Sequence, residues 1–526
     1  EAIGEAAIEQ NLEQFLLVLA VSLAVATLSR IVPWLRKIPY TLLLVIAGSI
    51  LAFLDVRLVN LSPELILQIF LPPLLFEAAW NIRWPSLKRN FATVSLFAIA
   101  GVIISILGIG WAVNLWAGLP LAIALLLGAS LSATDPVSVV ALFRELGASK
   151  RLTILMEGES LFNDGVAVVA FSLLVGIPLG ITEFSLSSTI AQFLVFVGVG
   201  VGLGSLIGFG ISYLTQRFDL PLVEQSLTLV AAYGAYLATE KLGGSGVISV
   251  VTVGIILGNF GSRIGMNPRT RLIVSEFWEF LAFFVNSIVF LLIGDQIDIT
   301  SLSQNLPLIG ITIAAVVVTR AIAIYGLSGV SNLLFRADIG WSNMTVLWWG
   351  GLRGSVSIAL ALSLPVTLPG REAVIETVFG VVLFTLLVQG LTIRPLLDGL
   401  NLVGDRPIRQ KYAEAIARRV ALTRVQAYLA ETSNFPTIDL EYVRYQRELV
   451  EVQLKQIEEE IANLQTEHQQ LAEFDMEQLN IQLLDIEAKT YSEFIQAGRL
   501  DEELSPLLQE ILLEADEDTT RQSAPA

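Results

Sequence analysis

Seven ionisable side chains stand inside long apolar stretches of this 526-residue sequence. They are Glu77, Asp135, Glu157, Glu159, Asp164, Arg320 and Arg353. A charge at the centre of a bilayer costs about 2.5 to 3.5 kcal/mol on insertion scales, so residues of this kind usually have a function. The chemistry that carboxylates and arginines support there is the binding of a small cation or a proton, and the pairing of opposite charges.

The densest group of polar residues lies between Glu159 and Asp164, in the sequence Glu-Ser-Leu-Phe-Asn-Asp. On a helix, the i, i+3 and i, i+4 relations place Glu159, Ser160 and Asn163 near one another, with Asp164 four residues after Ser160. Desolvation disfavours the charged form of a buried carboxylate, so we expect Asp164 to hold either a proton or a metal cation. A carboxylate that reorients only when it is neutralised would couple the two fluxes in opposite directions.

Glu159 is expected to have a different role, because an unpaired second acid so close would repel Asp164. We predict that it forms a structural ion pair with Arg320. Glu157 lies nearer the end of the same apolar stretch, and we expect it to be structural or exposed to water.

Two apolar stretches contain residues that interrupt a helix. In the segment Ser132–Pro136 the proline removes a backbone donor and disfavours helical geometry at Asp135. In Gly350–Gly354, which reads Gly-Gly-Leu-Arg-Gly, the glycines weaken the helix. Freed carbonyls and the hydroxyl of Thr134 are ligands that suit a small hard cation. Both interruptions are therefore candidate parts of an ion site.

The residues in these interruptions are expected to act in different ways. Asp135 is either an ion ligand or the cap of the helix that follows it. Arg353 is expected to bond freed carbonyls and to face helix dipoles rather than to touch the ion. The residues predicted to support the interrupted helices are Pro136, Gly351, Arg353 and Gly354.

The elements that position these residues follow from the composition. Hydrophobic residues make up 54% of the chain and charged residues only 15%, against roughly 25% charged in soluble domains. A span needs about 20 mostly apolar residues, and residues 1–400 hold thirteen candidate spans. Their centres lie near Ala20, Val45, Leu71, Ile104, Ala133, Ala167, Val201, Val230, Val253, Phe284, Val316, Ser355 and Leu383. This pattern predicts an all-α membrane protein with 13 transmembrane helices, of which spans 5 and 12 are broken.

Basic residues are distributed unevenly between the predicted loops. The loops on one side hold fourteen Lys and Arg, whereas those on the other hold only Arg57, Lys241 and Arg371. Short cytoplasmic loops collect such residues, so we expect the N-terminus outside and the chain after residue 400 in the cytoplasm. Spans 4–6 and 11–13 are offset by seven spans and cross in opposite senses, as in an inverted repeat whose broken helices mark the transport site.

The scarcity of two residue types excludes several kinds of chemistry. The chain has no Cys, and its lone His468 lies after residue 400. The spans therefore offer no ligands for a haem or a His-bound metal and no Ser-His catalytic pair, and no cofactor is expected. The sequence starts at Glu1 rather than at Met, so we expect an initiating segment to precede it.

The last part of the chain is acidic and is predicted to form a soluble tail. Residues 401–526 hold 12 Lys and Arg against 25 Asp and Glu. Good helix formers with apolar residues at helical spacing predict a helical cytoplasmic tail over 401–513, with a break at 434–436 and His468 on a solvated face. Residues 514–526 are expected to be disordered. We expect the tail to bind a regulatory ligand or protein or to make dimer contacts, and we expect no nucleic-acid partner.

Several motifs resemble one known family. They are Phe76–Glu77, Ala133–Pro136, Gly158–Gly165 (Gly-Glu-Ser-Leu-Phe-Asn-Asp-Gly), Arg320 and Gly350–Gly354. Together they resemble the sodium/proton exchangers of the monovalent cation/proton antiporter superfamily, on the NhaP and animal NHE branch. The resemblance covers the whole of residues 1–400 and weakens in the tail.

The resemblance implies an architecture and a role for each motif residue. It implies a homodimer among membrane lipids, with a dimerisation part (spans 1–3 and 8–10), a core part (spans 4–6 and 11–13) and span 7 as a linker. The implied ion site is lined by Thr134, Asp135, Ser160 and Asp164, with Na+ at Asp164, Thr134 and Ser160. Asn163 and Glu77 are implied to interact beside the site, and Glu159 with Arg320 to form the core ion pair. Family members with Asn before the ion-binding Asp generally exchange one cation per proton.

The leading hypothesis is therefore an electroneutral Na+(Li+)/H+ antiporter of the inner (plasma) membrane, a transporter rather than an enzyme, that serves pH homeostasis and salt tolerance. A K+/H+ antiporter is the alternative, because the site residues do not separate Na+ and Li+ from K+. A tail-gated cation channel would also use acids and broken helices, although a continuous pore needs no titrating carboxylate. An intramembrane enzyme is disfavoured by the missing His, Cys and Gly-x-Ser-x-Gly elbow.

Overall fold

The computed structural model of the chain describes residues 2–32, 35, 38–54, 62–181, 185–217, 220–266, 268–296, 299–400, 402, 406–432 and 440–467, with a few isolated positions from 483 to 490. Every regular element in these ranges is a helix, so the all-α prediction is confirmed. The predictions for the break at 434–436, for His468 and for residues 514–526 lie outside the described residues. The chain divides into two compact units, Glu1–Arg144 with Ala148–Val403 and Glu145–Gly147 with Gly404–Ala526.

The first part of the larger unit holds the helices on which most of the predicted site residues lie. In chain order they are α1 (Ala2–Ile31), α2 (Tyr40–Phe53), α3 (Leu71–Asn81), α4 (Trp84–Ala117), α5 (Leu121–Ser130), α6 (Val137–Leu146) and α7 (Lys150–Leu174). A π-helical segment, Leu65–Phe70, leads directly into α3. Residues 131–136 between α5 and α6 are not helical, which is where the sequence predicts an interruption.

The second part of this unit continues in the same way. Its helices are α8 (Leu186–Thr215), α9 (Pro221–Lys241), α10 (Gly246–Ile256), α11 (Pro268–Asp295), α12 (Ile299–Gln304), α13 (Leu306–Phe335), α14 (Trp341–Trp349), α15 (Ser355–Leu362), α16 (Arg371–Phe384) and α17 (Gly390–Gly399). A π-helical segment extends α10 over Leu257–Gly265, and another joins α16 to α17 over Thr385–Gln389. Residues 350–354 between α14 and α15 are not helical.

Five helical stretches of the described chain are both long enough and apolar enough to cross a membrane. They are Trp84–Ala117, Leu186–Thr215, Thr270–Asp295, Leu306–Phe335 and Arg371–Gly399. Large apolar side chains are exposed on the outward faces of several of these helices, among them Leu107, Leu194, Leu206, Val318 and Ile322. Such a continuous apolar exterior is unfavourable in water and favourable in a lipid bilayer.

One group of helices is centred on α4, which packs on α5, α7 and α13. Small residues permit the close approach. Gly108 of α4 lies against the side chain of Thr319 on α13, and Gly158 of α7 lies against α4. A hydrogen bond of 2.7 Å joins the hydroxyls of Thr93 on α4 and Ser331 on α13. This group carries α7 and both non-helical stretches.

A second group of helices is built on α10 and α11. α10 packs on α3, α8 and α9, and α11 packs on α2 and α3. The backbones of α2 and α11 approach closely where Gly48 faces Gly294, and Ser49 donates a hydrogen bond of 3.1 Å to the carbonyl of Gly294. The two groups meet where α7 contacts α3 and α10, and the candidate site lies near that junction.

The smaller unit contains two long helices, α18 (Arg406–Thr432) and α19 (Leu440–Glu467). They pack through the buried side chains of Tyr412, Ala415 and Ile461. The side chain of Gln465 donates a hydrogen bond of 2.6 Å to the hydroxyl of Tyr412. The tail is therefore helical in its described portion, as the sequence predicts.

Candidate functional site

The two non-helical stretches lie against each other. The backbone N–H of Asp135, in the first stretch, donates a hydrogen bond of 2.8 Å to the carbonyl of Leu352, in the second. Pro136 follows and cannot donate a backbone hydrogen bond, so the helix restarts only at Val137. Each stretch thus satisfies a backbone group that the other leaves unpaired.

Arg353 joins the same two stretches through its side chain. It is 1% exposed, and its Nη1 donates to the carbonyls of Ser132 at 3.1 Å and Ala133 at 3.0 Å. These carbonyls follow the C-terminus of α5, where a helix leaves its acceptors unsatisfied and carries partial negative charge. The structure therefore places Arg353 on freed carbonyls, in the position that the sequence predicts.

Asp135 stands at the start of α6. Its Oδ1 accepts a hydrogen bond of 3.0 Å from the N–H of Val137, the first residue of that helix. The rest of the carboxylate packs on Gly354, where the Cβ of any other residue would collide with it. The structure therefore gives Asp135 the capping contact that was the alternative to ion binding, and its second oxygen, Oδ2, points towards the start of α15.

The polar face of α7 holds Thr134 in place. Asn163 donates from Nδ2 to the hydroxyl of Thr134 at 2.7 Å, and its Oδ1 accepts from the N–H of Thr134 at 3.3 Å. The hydroxyl of Ser160 donates to the carbonyl of Thr134. Because a hydroxyl that donates its hydrogen keeps two lone pairs, the Ser160 oxygen remains able to bind a cation.

Asp164 lies next to these groups and is 9% exposed. Its Oδ1 has no hydrogen-bond partner among the described residues. Asp164 lines a cavity of about 80 Å³, several times the 10–15 Å³ or so that one water needs. The polar side chains that line this cavity are Thr134, Asp135, Glu157, Ser160, Asp164, Asn286 and Ser355. A buried carboxylate oxygen without a donor, beside hydroxyl oxygens and open space, can hold either a proton or a hard cation.

Glu159 points away from this cavity and pairs with Arg320. The guanidinium donates from Nη1 to Oε1 at 2.9 Å and from Nη2 to Oε2 at 3.3 Å. Arg320 also donates to the carbonyls of Leu347 at 2.9 Å and Trp348 at 3.1 Å. Gly351 leaves room for the guanidinium, because a Cβ there would overlap it. The structure thus brings together the two residues that the sequence predicts as a core ion pair.

The predicted interaction between Glu77 and Asn163 is not present. Glu77 instead accepts a hydrogen bond of 2.5 Å from Asn81, one turn later on α3. The amide of Asn163 bonds instead to Thr134, through one hydrogen of Nδ2 and through Oδ1. That expectation is therefore wrong for this structure. Glu157 pairs with Arg144 at 2.6 Å at a partly exposed position.

Asn286 on α11 was missed by the sequence reasoning, although it lines the same cavity as Asp164. It stands alone as an amide within an otherwise apolar run, Phe280–Ile293, apart from its neighbour Ser287. The signal that was available is this isolated amide in the middle of a span, since polar residues there usually face a partner or a cavity. Because an amide is not ionisable, a search restricted to ionisable residues does not identify Asn286.

Comparisons with known proteins identify the family of the chain. A family model described as sodium/hydrogen exchanger, transmembrane, matches residues 19–399. The chain is 65% identical over 512 residues to the Na(+)/H(+) antiporter ApNhaP of Aphanothece halophytica, covering 97% of this chain and 98% of the relative. It is 61% identical over 505 residues to the low-affinity Na(+)/H(+) antiporter NhaS1 of Synechocystis sp., covering 95% of this chain and 96% of the relative.

The fold is similar to a solved structure of the sodium proton antiporter MjNhaP1 from Methanocaldococcus jannaschii. The TM-score is 0.59 at 21% identity, over 72% of this chain and 99% of that one. At this identity the likeness concerns the fold alone. The family model covers residues 19–399 of the 526, and the two relatives match nearly the whole length. The chain therefore belongs to the sodium/hydrogen exchanger family of membrane-embedded transporters.

Proposed function

We propose that this chain is a Na+/H+ antiporter in which Asp164 is occupied in turn by a proton and by a sodium ion. The observation that carries the proposal is the unpartnered, buried Oδ1 of Asp164, in a residue that lines one cavity together with Thr134 and Ser160. The names of the relatives ApNhaP and NhaS1 support Na+ as the cation. In this proposal Na+ is bound by the carboxylate of Asp164, the hydroxyl of Ser160 and Thr134, and Li+ is a second substrate.

Only one carboxylate of the site is free to exchange ions in this mechanism. Asp135 caps α6, Glu159 is paired with Arg320, and Glu157 is paired with Arg144. The residue before Asp164 is the uncharged Asn163. A single acid that must be neutralised before it crosses exchanges one Na+ for one H+. The transport cycle is then electroneutral, and alternating access arises because the charged carboxylate cannot be moved through an apolar region without its ion.

We further propose thirteen membrane crossings, with the α5–α6 and α14–α15 pairs each forming one discontinuous span. The N-terminus lies outside the cell membrane and the tail lies in the cytoplasm, because basic residues are concentrated in alternate loops. The group around α4 is the moving core, the group around α10 and α11 forms a homodimer, and α8 links them. Such an exchanger serves salt tolerance and pH homeostasis.

The test is purified protein in liposomes that contain a pH-sensitive dye, with an imposed pH gradient and a clamped membrane potential. We expect Na+ and Li+ to drive proton flux that choline does not, at a rate that the membrane potential does not change. Proton flux with K+ in place of Na+ would identify the K+/H+ alternative. A cation current without proton movement would contradict antiport and indicate a channel.

A further inference from the structure

Asn286 is a polar residue without a structural role in the described molecule. It lies near the middle of the apolar run of α11, is only partly exposed, and makes no hydrogen bond to another described residue. A polar side chain inside an apolar helix that has no protein partner needs water or a ligand to satisfy it. By contrast, the hydroxyl of its neighbour Ser287 bonds to Tyr40 at 2.9 Å and to the carbonyl of Phe283 at 2.6 Å.

Asn286 occupies an otherwise apolar part of the cavity lining. The wall formed by α3 and α11 consists of Leu71, Leu74, Leu75, Ala78 and Asn286. Asn286 is thus the single polar side chain on that wall among the lining residues that the structure describes. The rest of the lining carries Asp164 and the other polar groups. The amide therefore lines the same cavity as the ion-binding carboxylate but belongs to the other group of helices.

The size of the cavity indicates what it can hold. Its volume of about 80 Å³ exceeds the space of a bare sodium ion and holds the ion with a few water molecules. A water bound to a cation directs its oxygen at the ion and its hydrogens outwards, so it requires acceptors on the far side. The amide oxygen of Asn286 is an acceptor of this kind.

We propose that Asn286 binds the remaining hydration water of the transported cation through Oδ1, so that a partly hydrated Na+ spans the cavity from Asp164 to α11. This inference rests on the proposed Na+/H+ exchange. Because an amide does not titrate, Asn286 contributes to cation affinity and leaves the number of protons exchanged per cation unchanged. It also gives the α11 wall a contact that exists only when a cation is present.

The experiment compares Asn286→Leu, which has a similar size and no polar atoms, with Ser287→Ala as a control on the same helix. Proton flux in liposomes is measured against Na+ concentration, together with the thermal unfolding temperature of each variant. We expect Asn286→Leu to raise the half-saturating Na+ concentration about five- to tenfold, the value of one lost hydrogen bond. The maximal rate and the proton count per Na+ should remain those of the wild type, and Asn286→Ser should restore part of the affinity.

Other results would overturn the assignment of Asn286. A half-saturating Na+ concentration in Asn286→Leu equal to that of the wild type would exclude the contact with the hydrated cation. An equal rise in Ser287→Ala would show that loosening of α11, rather than loss of the amide, is the cause. The wild-type protein tests the proposed antiport separately from the role of Asn286. Absence of Na+-driven proton flux in the wild type would contradict the antiport itself.

Discussion

Glu159 and Asp164 are both buried carboxylates on α7, with 3% and 9% of their surfaces exposed, yet their surroundings differ. Both oxygens of Glu159 accept hydrogen bonds from Arg320, and the space beside the pair is only about 10 Å³. Oδ1 of Asp164 has no donor among the described residues, and Asp164 lines a cavity of about 80 Å³. Burial therefore does not by itself distinguish the two acids, and the proposal that Asp164 is the ion ligand depends on its unpartnered oxygen and the neighbouring cavity.

The second interruption, Gly350–Gly354, maintains this difference through its glycines. Gly351 makes room for the guanidinium of Arg320, which keeps Glu159 paired. Gly354 makes room for the carboxylate of Asp135, which holds the start of α6 beside the cavity. One interruption thus accommodates both a structural charge and a charge of the ion site. The contrast between Glu159 and Asp164 can be tested by substituting each acid, or the residues around it, separately.

The largest effect is expected from Asp164→Asn. We expect a complete loss of Na+-dependent proton flux in liposomes, because the amide cannot exchange a proton for a cation. The thermal unfolding temperature should be at or above that of the wild type, since the change removes a buried group that has no partner. Wild-type exchange in this variant would contradict the role given to Asp164.

Glu159→Gln is expected to act on stability instead. It leaves the buried guanidinium of Arg320 without its counter-charge, which costs about 3–5 kcal/mol of unfolding free energy. The matched control is Glu157→Gln, whose partner Arg144 has 57% of its side chain exposed and whose loss should cost about 0–1 kcal/mol. Unfolding in detergent measures both changes. Equal destabilisation by the two variants would remove the distinction between a core pair and a surface pair.

Gly354→Ala tests whether the position of Asp135 matters for ion binding. The added methyl group would overlap the Asp135 carboxylate, and displacement of a site group by about 1 Å reduces transport substantially. We expect the half-saturating Na+ concentration to rise on the order of tenfold. The control is Gly326→Ala on α13, where the methyl group would meet open space. An unchanged Na+ dependence in Gly354→Ala would show that the site tolerates movement of Asp135.

The smallest effect is expected from Ser160→Ala. The variant loses the hydrogen bond to the carbonyl of Thr134 and one hydroxyl oxygen of the site, which together correspond to about 1 kcal/mol or a few-fold change in Na+ affinity. Ser172→Ala is the control, because that hydroxyl lies on the same helix and bonds only to the carbonyl of Val168. A loss as complete as that of Asp164→Asn would assign Ser160 a larger role than that of a supporting ligand.

Much of this arrangement is predictable from the sequence, because charges and helix breakers within apolar stretches have few alternative explanations. The pairing of Glu159 with Arg320 follows from the need to neutralise a second acid near Asp164. The placement of Arg353 on the carbonyls of Ser132 and Ala133 follows from the acceptors that an interrupted helix leaves free. These expectations depend on local charge and backbone chemistry, which can be inferred from the residue types alone.

Other features depend on distances between helices that the sequence does not contain. Asn163 was expected to meet Glu77, but the non-helical backbone at Thr134 offers it closer partners, and Glu77 finds Asn81 on its own helix. Asn286 could not be assigned to the site until the packing of α11 placed it in the lining of the same cavity as Asp164. Side-chain partners between helices thus depend on the packing, which composition and spacing do not specify.

The most direct measurement is calorimetric titration of the purified protein with Na+ in buffers of different ionisation enthalpy, which counts the protons released as the ion binds. The account predicts that the wild type releases one proton for each Na+ bound at a pH where Asp164 is protonated, and that Asp164→Asn shows neither Na+ binding nor proton release. Na+ binding with undiminished proton release in Asp164→Asn would contradict the central claim, because another group would then exchange the two ions.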